Sequence, residues 1–306
     1  MSQKTNLLSK FSSIFNNIDK GVLFMLLSAL IGALNGAVAK LLSESMDPIE
    51  IVFYRNLLGV MIILYSIKSA KLSINTSKLH LLFLRGLFGA LAMLMFFYTI
   101  ATIPLGEAVV LNKTSPFFVT ILAYYLMKES ISLRTFFALI VGFVGIIFIM
   151  KPFDLLISHE HILGVLGGFF AAAAYATIKK IKDIYDARLI MLSFMGVGLI
   201  IPILLTFTPY VHFKIHTDPF LWILIVFMAI ISTASQWFLT RAYSLSKASI
   251  IGVVSYSNIP FAIGFGVLLG DLLPDFYTFI GIILIIIGGI LVSIKSPKKE
   301  GLSNEK

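Results

Sequence analysis

The chain has 306 residues, of which 58% are apolar and only 13% charged, with a mean hydropathy of +0.98. Soluble domains run at roughly 45–50% apolar and about 25% charged, so a soluble globular protein is excluded and a polytopic membrane protein is indicated. The formal net charge of +9 does not call for nucleic acid, because the basic residues sit in short loops and tails between apolar runs.

Residues 1–20 form a polar tail carrying Lys4, Lys10 and Lys20. Ten apolar runs follow, at 21–42, 49–67, 80–101, 107–127, 134–150, 162–180, 188–207, 219–240, 249–269 and 275–294. Crossing a bilayer takes about 20 apolar residues in a helix. These runs lack the every-second-residue alternation of barrel strands, and backbone groups in lipid must pair within their segment, so the spans are helices. The basic start followed by Ala37-Val38-Ala39 has the form of a cleavable signal peptide. The apolar run is too long for one, and its counterpart at 162–180 also ends in a basic residue. The tail at 296–306 is polar.

The stretch Tyr98–Glu129 recurs at Tyr243–Asp271, with Thr114-Ser115-Pro116-Phe117 opposite Asn258-Ile259-Pro260-Phe261 and Glu129 opposite Asp271. The expected organisation is a five-helix repeat at 21–151 and a second at 162–295. Placing the N-terminus in the cytoplasm assigns most of the 24 Lys and Arg to cytoplasmic segments, as the positive-inside rule requires. Both termini are then cytoplasmic. Five spans per repeat is an odd number, so the second repeat enters the membrane upside down. Inverted repeats build carriers whose site lies near the midplane between the halves.

Charge at membrane depth is costly, so charged residues there face a cavity or a partner. Lys113 lies mid-span within Asn112-Lys113-Thr114-Ser115, just before Pro116. The proline removes a backbone donor and disrupts the helix locally. Ser and Thr can satisfy a kinked backbone, but that does not account for a lysine. The counterpart Ser255-Tyr256-Ser257-Asn258 before Pro260 is polar and uncharged. Lys113, Asn112, Tyr256 and Asn258 are therefore candidate ligand-binding residues. Arg55 is either a pathway residue or half of a structural pair with Glu50 or Glu107. Arg85, near the inner end of its span, is expected to snorkel to the interface. Asn35, Tyr175, Gln236 and Trp237 lie at depths where a side chain can meet a ligand. Glycine and alanine clusters such as Gly142/Gly145 and Gly164/Gly168 signal close helix packing, and Glu129 and Asp271 mark span ends.

No catalytic pattern is present. The spacings of His159/His161 and His212/His216 are weak metal signals without cysteine, and no P-loop or G-x-S-x-G occurs. No metal, cofactor or enzymatic activity is expected. An enzyme acting on a lipid-linked substrate would need acidic residues or histidines clustered near an interface.

Both halves resemble the EamA-type carriers of the drug/metabolite transporter superfamily. The likeness is carried by Phe53-Tyr54-Arg55-Asn56, Leu84-Arg85-Gly86-Leu87, Phe97-Tyr98-Thr99-Ile100-Ala101 and Pro104-Leu105-Gly106-Glu107-Ala108. Ser115-Pro116-Phe117-Phe118-Val119, Gly142-Phe143-Val144-Gly145, Leu239-Thr240-Arg241-Ala242-Tyr243 and the closing Gly281, Gly288 and Gly289 continue it. The resemblance implies a ten-helix carrier of the prokaryotic inner membrane, moving small metabolites without ATP. The Arg-Gly and Thr-Arg-Ala-Tyr forms look closest to the branch labelled S-adenosylmethionine uptake carriers. Lys113 departs from the uncharged residue expected there and suits a solute with an anionic group, such as an amino acid or derivative. The expected partners are that small molecule and the lipid bilayer, and a homodimer is compatible with the sequence.

Overall fold

The computed structural model describes residues 20–72, 76–127, 133–150, 158–208, 213–214, 216–246 and 248–293. Its regular structure is entirely helical. The helices are α1 (Lys20–Ser43), α2 (Pro48–Ser69), α3 (Leu79–Thr102), α4 (Leu105–Asn112), α5 (Ser115–Met127) and α6 (Leu133–Met150), then α7 (His159–Ile181), α8 (Ala187–Leu205), α9 (Pro219–Leu245), α10 (Ala248–Ser255), α11 (Asn258–Leu268) and α12 (Phe276–Ser293). They follow the ten apolar runs in order. The runs 107–127 and 249–269 are each split in two, at Lys113–Thr114 and at Tyr256–Ser257. Among the described residues six helices are long and apolar enough to cross a membrane. Three shorter helices, including the two of a split run, follow the first three of these and another three follow the last. The ninth helix outruns its expected end at 240 and stops only where Ser246 turns extended.

Local chemistry sets several of the helix starts. At α2 the Asp47 carboxylate accepts from Ile49 N at 2.8 Å, Glu50 reaches back to Asp47 N at 3.1 Å, and Pro48 takes the first helical position. This reciprocal cap satisfies two backbone donors that no helix can pair internally. Asp186 caps α8 through Arg188 N at 2.8 Å, and Asp218 caps α9 through Phe220 N at 2.9 Å, again ahead of a proline.

Packing exchanges partners between the halves. Helix α3 lies against α7 and α8, while α9 lies against α1 and α2; α5 meets α7, and α11 meets α1. Two contacts map onto themselves under that exchange, α2 with α8 and α6 with α12. The last pair meets backbone to backbone. A Cβ on Gly281 would stand 2.7 Å from Gly145 O, and one on Gly288 would stand 2.9 Å from both Ala138 O and Gly142 N. Small residues allow this approach, which supplies van der Waals contact where lipid provides no hydrophobic drive. The opposite faces of these helices carry exposed Phe136, Phe137, Ile140, Phe276, Phe279 and Ile283. An apolar surface of this extent suits hydrocarbon rather than water.

The α6–α12 seam therefore tolerates no side chain. Gly281→Leu should cost about 1–3 kcal/mol through overpacking and lower the unfolding temperature in detergent. Ile283→Leu, on the exposed face, should leave that temperature unchanged.

Candidate functional site

A cavity of about 150 Å³ lies among helices of both halves. Its wall is built from α1 (Ser28, Asn35), α2 (Arg55), α3 (Arg85, Phe96, Phe97), α7 (Tyr175), α8 (Phe194), α9 (Ser235, Gln236), the α4–α5 break (Asn112, Lys113) and the start of α11 (Asn258). Among the described residues neither α6 nor α12 contributes.

The broken helix places the lysine. Pro116 has no N–H for the carbonyl one turn back, and around it the helix tightens to three-residue bonds, Thr114 N to Leu111 O at 3.1 Å and Phe117 N to Thr114 O at 3.0 Å. Thr114 repairs part of the loss, its Oγ1 donating to Leu111 O at 2.7 Å. Opposite the break, a Cβ on Gly168 of α7 would stand 3.0 Å from Leu111 O and 3.4 Å from Asn112 O, so only glycine lets α7 close on it. Lys113 then points its chain into the cavity, and its ammonium has no ion-pair or hydrogen-bond partner among the described residues. In the second half, Ser257 Oγ donates to Val254 O at 2.7 Å and Ser255 Oγ to Gly252 O at 2.8 Å. Asn258 Nδ2 donates to Ala29 O at 2.5 Å and ties that break to α1. On the same face Ser28 and Ser235 bond reciprocally, each hydroxyl donating to the other's carbonyl, at 2.9 and 3.0 Å.

Of the nine candidates, Lys113, Asn112, Asn35, Tyr175, Gln236, Asn258 and Arg55 line the cavity. Trp237 and Tyr256 do not. Trp237 is one residue beyond Gln236, about 100° further round the helix. It packs edge-on against Phe24 at 5.7 Å, with Arg241 over its ring at 5.8 Å. The Tyr256 ring fills the space left by Gly289 of α12. Arg55 pairs with neither Glu50 nor Glu107: its Nη1 donates to Asn56 Oδ1 at 3.1 Å and to Met93 Sδ.

Arg85 was missed. It does not snorkel; it is 2% exposed and lies over the Phe194 ring at 5.0 Å. Gly89, one turn on, leaves room for the guanidinium, since a Cβ there would collide with Arg85 Nη1 and approach Phe194 at 2.7 Å. Glycine one helical turn beyond an arginine is the sequence signal that could have found it. The hydroxyl clasp of Ser28 and Ser235 left no comparable trace.

The bundle is closed at the end where α1 runs into α2. Asp271 pairs with Lys40 and accepts from Leu105 N at 2.8 Å, and Lys40 also reaches Ile103 O at 3.4 Å. Glu107 pairs with His161 at 3.5 Å and accepts from Thr278 Oγ1 at 3.2 Å. Glu50 accepts from Lys214 N and meets His216 at 3.3 Å. Each carboxylate joins one half of the chain to the other, so Asp271 is more than a span boundary. Glu129 and His212 fall outside the described residues.

The model of the EamA-like transporter family matches residues 19–151 and again 159–294. An uncharacterized transporter of Helicobacter pylori is 31% identical over 93% of this chain and 98% of that protein. The pseudopaline exporter CntI of Pseudomonas aeruginosa is 30% identical over 92% of this chain and 98% of that protein. A Rickettsia prowazekii S-adenosylmethionine uptake transporter is 23% identical over 91% and 94%. A crystal structure shares the fold with a TM-score of 0.63 at 12% identity, over 89% of this chain and 95% of that one.

The closed end can be tested directly. Asp271→Asn and Lys40→Met should each lower stability by about 1–3 kcal/mol by stranding a largely buried partner. The double variant should lose much less than the sum, because the two residues share one interaction. Thermal unfolding of the four proteins in detergent completes the cycle.

Proposed function

The chain belongs to the EamA-like transporter family, and from that membership we propose that it is a secondary carrier for a small polar metabolite with an anionic group, an amino acid or derivative. It is a multi-pass membrane transporter rather than an enzyme. The carrier reading takes 21–151 and 162–295 as repeats of opposite orientation, flanked by cytoplasmic tails at 1–20 and 296–306, in a prokaryotic inner membrane. The exchange of helix partners between the halves supports this reading. So does the double match of the family model. Access would alternate as the halves rock about the cavity. The closed end, joined by Lys40, Asp271, Glu50 and Glu107, would be the periplasmic one.

The observation that carries the solute reading is Lys113, an ammonium without a partner among the described residues, on a cavity wall at the break of a proline-split helix. An unpaired charge away from water is costly, and a carboxylate supplied by a solute removes the cost. The cavity of about 150 Å³ falls below the 300–1,000 Å³ typical of drug-sized ligands, which suits a small metabolite. A cationic solute such as S-adenosylmethionine would have to present its carboxylate to Lys113 and keep its positive centre at the amide side of the cavity.

Lys113→Met should lower uptake or exchange in proteoliposomes by roughly tenfold to a hundredfold, as loss of a charge-assisted hydrogen bond worth about 1.5–3 kcal/mol implies. Its detergent elution profile should match that of the unaltered protein, and its unfolding temperature should be no lower, because the substitution removes an uncompensated charge. Unchanged transport kinetics would remove Lys113 from the site.

A further inference from the structure

Resting on the carrier reading, we propose that the cavity selects solutes with two or more oxyanion groups, carboxylates in a molecule of amino-acid size, and that Arg85 acts with Arg55 to make that selection. Lys113 alone would suit any monocarboxylate. The two arginines change the count. They come from neighbouring helices, α2 and α3, and both lie against the ring of Phe194, at 5.6 Å for Arg55 and 5.0 Å for Arg85. Both are almost fully enclosed, at 4% and 2% exposure.

Nothing on the cavity wall neutralises them. No Asp or Glu lines it among the described residues. The carboxylates of Glu50, Glu107 and Asp271 are engaged at the closed end. Arg55 Nε, Arg85 Nε and Arg85 Nη1 are buried and make no hydrogen bond among the described residues. Buried donors of this kind are nearly always satisfied in folded proteins, and an aromatic face offsets only part of the desolvation of a guanidinium.

The two arginines are also held differently. Arg55 is aimed from one side, where Asn56 accepts from its Nη1 and is itself anchored to Gly198 O at 3.0 Å. Arg85 has no hydrogen-bond partner among the described residues; it packs between Phe194 and the gap at Gly89, with the Tyr175 hydroxyl within electrostatic reach. A purely structural arginine would be expected to find carbonyls or a carboxylate; this one keeps a donor fork free. Guanidinium forks match carboxylate or phosphate oxygens two at a time.

The amide side of the same cavity offers the complementary chemistry. Asn35 Oδ1 and Gln236 Oε1 are buried acceptors without donors. They suit an ammonium, amine or hydroxyl of the solute. Oxyanions at the arginines and a donor at the amides describe a polycarboxylate amino compound better than a neutral amino acid.

The test uses the full chain in detergent for thermal unfolding, and in proteoliposomes for competition against the uptake of labelled L-glutamate. The probes are L-glutamate, citrate, L-glutamine, L-alanine and inorganic phosphate. Glutamate and citrate should protect and compete, with glutamine and alanine roughly tenfold weaker or more. Arg85→Gln should shrink the glutamate-to-glutamine ratio severalfold, and Arg85→Lys should restore part of it. If Arg85→Gln does not fold, Gly89→Ala, which places a methyl where Nη1 lies, should narrow the ratio in the same direction. Equal protection by glutamine and glutamate, silence from every oxyanion, or an unchanged ratio in Arg85→Gln overturns the proposal. Protection by phosphate alone supports the arginine clamp and overturns the assignment to carboxylates. Transport that is lost in Lys113→Met yet shows no preference for polyanions leaves the carrier standing and removes this inference.

Discussion

In hydrocarbon every backbone N–H and C=O must be paired inside the protein, and the rest of this architecture follows from that requirement. A helix may be interrupted at membrane depth only where the interruption is enclosed by other helices or lines a cavity. Both interruptions here obey the rule. At each, a hydroxyl within the break takes up a nearby carbonyl: Thr114 serves Leu111, and Ser257 serves Val254. Each break is covered by the first helix of the other half: α7 closes on one through Gly168, and α1 receives Asn258 from the other. Asn112 and Lys113 at one break and Asn258 at the other form part of the polar wall of the cavity.

Much of the fold was legible because its signals are one-dimensional. Span length, charge depletion and proline position are read along the chain, and they located the helices and both breaks. Depth along a helix was equally legible, and most of the candidate residues do reach the cavity. Azimuth was not. Gln236 and Trp237 share a depth, but one faces the cavity and the other faces Phe24. Tyr256 occupies the right level of a broken helix and turns toward Gly289. For Arg85 the difficulty was different: a long cationic side chain near a span end can run outward or inward, and its packing surroundings rather than its depth decide between the two. The stack of Phe194 and the space at Gly89 direct it inward.

The tight contacts and the polar contacts divide the molecule between them. Glycine and alanine hold α6 to α12 away from the cavity, with no polar side chain in the seam's closest approaches. Carboxylates, a lysine and histidines hold the closed end, where each carboxylate bridges two or more partners. Ordered polar contacts that join two packed bodies are suited to switching between arrangements, whereas a backbone-to-backbone seam is suited to staying closed.

Three cations around one small space, with no acidic partner among the described residues, also bear on the energetics of turnover. A carrier that shuts its cavity while empty would strand Lys113, Arg55 and Arg85 in a dry, low-dielectric enclosure, at a cost that a bound polyanion removes. The loaded protein would then cross between its two faces more readily than the empty one. Leak would be suppressed and one-for-one counterflow favoured by electrostatics alone, with charge compensation doing what a titrating carboxylate does in proton-coupled carriers.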